Sequence, residues 1–111
     1  MKPNRQDSDT ERESAENALF TALSSLRGLE EFRYFLKDLC TPAELQALVD
    51  RWQVVGLLQE DLPYRRIHEL TGVSVTTIGR VARFLSDGHG GYQTALERSK
   101  QQSPRKINVS H

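Results

Sequence analysis

The feature that most constrains this chain is the single glycine at the centre of RIHELTGVSVTTIGRVARFL, residues 66–85. Before it, Tyr64, Ile67 and Leu70 follow one another at i, i+3 and i+6. After it, Ile78, Val81, Ala82 and Leu85 share one face of a second helical period. The apolar rows are too short for long helices, so the spacing predicts two short ones joined at Gly72. Glycine takes φ > 0 without steric cost, which a tight helix-to-helix turn demands. Val73 follows as the plug between the helices, and Ser74 is a good N-cap for the second. Pro63 suits the first turn of the first helix. Residues 63–85 therefore read as a helix-turn-helix.

The outward face of the second helix points to a use. Thr76, Arg80 and Arg83 recur at i, i+4 and i+7, opposite the apolar row. A helix set proud of its support can enter the major groove of DNA, where hydroxyls and arginines meet phosphates and base edges. Ser74, Val75, Thr76, Thr77, Gly79, Arg80 and Arg83 are the candidate contacts on that helix, and Arg65 and Arg66 on the first. Two positions depart from the usual pattern. His68 stands where a small residue ordinarily faces the second helix. Gly79 lies inside that helix, where glycine costs about 1 kcal/mol relative to alanine; a missing side chain there would suit close approach to DNA.

The charge distribution agrees. The chain has 111 residues and formal net charge zero. Residues 1–28 hold four basic and five acidic side chains, and residues 29–61 hold three and seven. Residues 62–85 reverse this, with Arg65, Arg66, Arg80 and Arg83 against Glu69. Residues 86–111 continue the trend, with four basic and two acidic. A basic half in a neutral chain attracts polyanions, although the same charges also serve as a solvated face.

The remaining elements are helical as well. Ala15, Ala18, Leu19, Ala22, Leu23 and Leu26 mark a helix over about 10–27, ended by Gly28. Leu29, Phe32, Phe35, Leu36 and Leu39 mark another over 29–40. Thr41-Pro42-Ala43-Glu44 is a capping box with proline at the first helical position, opening a helix that runs to about Glu60. Trp52 within it is expected to be a core side chain. The glycine-rich run 87–91 makes a hinge before a last helix over 92–102. No segment alternates as a strand does. The expected fold is all-α, with five to six helices in one domain over 10–102. Polar tails at 1–9 and 103–111 are expected to be disordered. Arg98, Lys100, Arg105 and Lys106 either add phosphate contacts or form a solvated tail.

Other function classes fare poorly. His68, His89 and His111 are far apart and lack metal-ligand spacing, so neither metal nor cofactor is expected. The 87–91 run has no P-loop lysine and no preceding strand. Glu30 and Glu31 are adjacent and do not face each other on a helix. The chain is not expected to be an enzyme. Its one cysteine, Cys40, permits no internal disulfide and fits a reducing cytoplasm. No membrane span or secretory signal is legible. The rival to a DNA reader is a helix-turn-helix used for protein contacts alone.

The segment DLCTPAELQALVDRWQVVGLLQEDLPYRRIHELTGVSVTTIGRVARFL resembles the Trp repressor superfamily, and its YerC/YecD branch in particular. It shares the DLCT start, the core from Thr71 to Val81, and the later Gly91-Tyr92. The resemblance covers about residues 15–100. It implies an intertwined homodimer, with helices of 10–60 building a shared core and a helix-turn-helix over 63–85 bound to double-stranded DNA as a transcriptional regulator. It also places Thr41, Arg51, Thr77 and Arg80 where that family keeps its corepressor pocket. The pocket there has glycine after the second arginine and serine three residues further on. Here Val81 and Phe84 stand instead. Side chains of that bulk are expected to fill the space for an indole, so DNA binding is expected not to depend on a tryptophan corepressor.

Overall fold

The computed structural model describes residues 5–102, and six α-helices account for most of them: α1 (Arg5–Ser24), α2 (Gly28–Leu39), α3 (Pro42–Gln59), α4 (Tyr64–Thr71), α5 (Val75–Asp87) and α6 (Gly91–Gln102). No strand occurs among the described residues. The all-α expectation is met. The basic segment 103–111 and residues 1–4 lie outside the described residues.

Helix ends follow local chemistry. At α3 both halves of the capping box form. The Glu44 amide donates to Thr41 Oγ1 at 3.1 Å, and the Thr41 amide donates to Glu44 Oε1 at 2.9 Å. At α2 the Arg27 amide donates to Glu31 Oε1 at 2.7 Å, which satisfies one donor at a helix start without a capping side chain on Arg27 itself. Two boundaries differ from expectation. α1 begins at Arg5 rather than near residue 10, so residues 5–9 belong to the helix and not to a tail. The apolar periodicity starts only at Ala15, and polar helix-compatible residues extend the element beyond it. Gly28 does not close α1 but opens α2 with φ of 81°. α1 ends at Ser24, where the Ser24 and Ser25 hydroxyls donate back to the Thr21 and Ala22 carbonyls at 3.0 and 2.7 Å.

The chain forms two compact units that divide between Leu45 and Gln46. In the first, none of the described residues is buried. Leu19, Phe20, Leu29, Phe32 and Leu39 are exposed there. The second unit holds the core: Val54 and Val55 from α3, Ile67 from α4, Val73 from the turn, and Ile78 and Val81 from α5. Leu57, Leu58, Leu62, Leu85, Tyr92 and Leu96 pack against it.

The expected core residue Trp52 and the apolar Leu70 stand outside it. Trp52 is 41% exposed, with its ring 6.4 Å from that of Tyr92. Leu70 is 51% exposed and Tyr64 is exposed too, so Ile67 alone of that row is buried. A three-residue step on an α-helix turns about 60° short of a full circle. Tyr64 and Leu70 therefore flank Ile67 on opposite sides rather than sharing its burial.

Candidate nucleic-acid interface

The turn between α4 and α5 is built as the sequence requires. Gly72 adopts φ 78° and ψ −1°, and its amide donates to the His68 carbonyl at 2.8 Å. Two side chains then brace the corner. Thr71 Oγ1 donates to the Ile67 carbonyl at 2.7 Å and accepts from the Val73 amide at 3.0 Å. His68 Nδ1 lies 2.7 Å from the Val73 carbonyl oxygen. A carbonyl only accepts, so the proton sits on Nδ1. His68 thus ties α4 to the residue beyond the turn. Periodicity could not reveal this, because the bond depends on where the turn returns the chain.

Beyond the turn, Ser74 caps α5. Its Oγ accepts from the Thr77 amide at 3.1 Å and donates to Thr77 Oγ1 at 3.1 Å. Of the predicted contacts, Ser74 and Thr77 therefore already engage each other's hydroxyls. Val75 and Thr76 are exposed at the helix start. Arg80 and Arg83 are exposed on the same side, while Ile78 and Val81 are buried opposite. The Arg80 guanidinium lies 4.9 Å above the Phe84 ring, and that of Arg83 is 6.0 Å from it. On α4, Arg66 pairs with Glu69 at 3.3 Å, in an exposed ion pair of small energetic weight. Arg65 makes no ion pair among the described residues and is exposed. Gly79 lies on α5 with Tyr64 of α4 as its neighbour.

Five of the residues assigned to an effector pocket line two clefts that share Arg51 and Arg80. Arg51, Arg80, Val81 and Phe84 line one open cleft of about 440 Å³, together with His89 and Tyr92. Thr77 faces a second cleft of about 390 Å³, shared with Asp50, Ser74 and again Arg51 and Arg80. Thr41 lies in the first unit and serves as the cap of α3. Val81 is part of the core, and Phe84 lines the first cleft. It is 38% exposed and forms a wall, with Arg80 laid across its ring. Among the described residues no cluster of His, Cys, Asp and Glu could hold a metal ion, and no helix is long and apolar enough to cross a membrane.

A buried apolar corner, a left-handed glycine and a capped helix with an exposed basic face define a helix-turn-helix protein. Comparison with known proteins sharpens the class. The Trp repressor protein family model matches residues 15–100. The uncharacterized protein YerC of Bacillus subtilis (strain 168) is 43% identical over 83 residues, spanning 75% of this chain and 80% of YerC. The crystal structure of a TrpR-like protein from Eubacterium eligens ATCC 27750 superposes with a TM-score of 0.72 at 41% identity, covering 77% of this chain and 88% of that one. A protein from Staphylococcus aureus, solved as a candidate Trp repressor, gives 0.71 at 38% identity, covering 77% and 85%. The chain belongs to the Trp repressor family, as a YerC-like member. The family consists of DNA-binding regulators rather than enzymes.

Proposed function

We propose that the protein is a homodimeric transcriptional repressor that reads a twofold-symmetric operator without a tryptophan corepressor. The observation that carries this reading is the exposed face of α5, with Val75, Thr76, Arg80 and Arg83 held outward by Ile67, Val73, Ile78 and Val81 beneath. Thr76 and Arg80 contact base edges, and Val75 suits a thymine methyl. Arg65, Arg66 and Arg83 neutralise phosphates. Binding at the operator blocks polymerase by occlusion. The regulator acts in the cytoplasm, where Cys40 stays reduced.

Two observations support the finer parts. Apolar side chains of α1 and α2 are exposed in the single chain, and a second copy would cover them in the manner of the family. Arg80, which the family resemblance assigns to the corepressor, has its guanidinium over Phe84 instead. The deciding experiment is selection of bound sequences from a random duplex library. A twofold consensus is expected. Enrichment of no sequence, together with affinity insensitive to salt, would favour a module for protein contacts.

A further inference from the structure

The packing of the protein does not explain Gly79. It lies within α5, and its φ is not positive. A Cβ built on it meets Tyr64 Cε2 at 3.9 Å, an ordinary van der Waals contact, and nothing closer. Alanine would therefore fit and would favour the helix. The fold tolerates a weak helix former here although it has room for a Cβ.

That space borders the outward face of α5. On an α-helix, position 79 lies about 40° from position 83 and about 60° from position 76. Arg83 and Thr76 are thus on one bank. On the other bank is Tyr64, at the start of α4 and followed by Arg65 and Arg66. Tyr64 is 42% exposed, and its hydroxyl makes no hydrogen bond among the described residues. The Tyr64 ring within van der Waals reach of the Gly79 position, and the two arginines that follow Tyr64 in sequence, mark this side of α5.

We propose that this side of α5 is the seat of one phosphodiester strand of bound DNA, with the sugar packed where a Cβ would stand and a phosphate oxygen accepting from the Tyr64 hydroxyl. The proposal rests on the reading that α5 enters the groove. A strand is preferred to a base edge because α4 supplies one side of the seat. In a helix-turn-helix the first helix crosses the backbone while the second meets the bases. Gly79 is then a positioning residue that sets how deeply α5 seats.

The test uses the full chain, the duplex selected above and a scrambled duplex of equal length at fixed salt. Gly79→Ala is expected to raise the thermal midpoint and yet weaken binding to both duplexes about tenfold, the loss of one polar contact or its equivalent. Tyr64→Phe is expected to leave the midpoint in place and weaken both in parallel. Wild-type affinity in Gly79→Ala would overturn the proposal. So would a loss confined to the selected duplex, which would put a base edge at Gly79. If the unaltered protein binds neither duplex, the DNA reading itself fails and this proposal with it; retained wild-type binding separates the two failures.

Discussion

Ser74 shows how much one hydroxyl can settle. Its Oγ bonds both the amide and the hydroxyl of Thr77, fixing the first turn of α5. Ser74→Ala should lower stability by about 1 kcal/mol, as loss of an N-cap does; chemical denaturation followed by circular dichroism measures it. Phe84 makes a second case. Its ring receives the Arg80 guanidinium and forms a wall of the 440 Å³ cleft. Isothermal titration with L-tryptophan should show no saturable binding below about 100 μM, a limit equal to several kcal/mol of affinity. Saturation in that range would assign the cleft to tryptophan after all. Residue types explain most of what is seen at this scale. Gly72, Ser74, Thr41 and Glu44 take the roles their chemistry predicts. His68 does not, because its partner is a carbonyl brought near by the turn and invisible in any local pattern.

At the scale of elements, the proposed DNA contacts divide between α4 and α5. α5 projects Arg80 from a helix whose other face is buried, whereas α4 carries Arg65 and Arg66 on an exposed surface. Arg80→Ala should cost about 1–3 kcal/mol on the selected duplex and relax its sequence preference, if the side chain reads a base. Arg65→Ala should weaken all duplexes alike and flatten the salt dependence by about one unit for the phosphate lost. Equilibrium titrations at several salt concentrations separate the two. Unchanged affinities and salt slopes in both variants would leave the helix-turn-helix without a role on DNA. Element starts are legible where a capping side chain marks them, as at Pro42 and Val75, whereas Gly28 marks a break without showing which helix it belongs to. Starts are missed where apolar periodicity is silent, as in the polar first turns of α1. The exposure of Trp52, and of Leu70 beside buried Ile67, has a related reason: helical spacing names a face but not its width. In a short helix one residue, here Ile67, can take the whole burial.

For the whole molecule the governing fact is how little one chain buries. Among the described residues the buried core is six, from Val54 to Val81. The first unit has no buried residue among those described, although it carries Leu19, Phe20, Leu29, Phe32 and Leu39. Apolar side chains in such number are what the proposed second copy would cover. If a second copy covers them, the thermal midpoint should rise with protein concentration, because association stabilises the folded form by mass action. Sedimentation should then give a single species of twice the chain mass. A midpoint independent of concentration, with a monomer in sedimentation, would exclude the dimer. The symmetry of a dimer is also what would present two α5 helices to half-sites about 34–36 Å apart.

Trp52 is the chain's lone indole, half-open to solvent on α3 with the phenol of Tyr92 from α6 beside it. Its emission colour therefore responds to whatever dries that surface. Excitation passed from Tyr92 registers whether the last helix stays docked. The molecule carries its own optical gauge, and any change at the α3–α6 surface can be followed without attaching a dye.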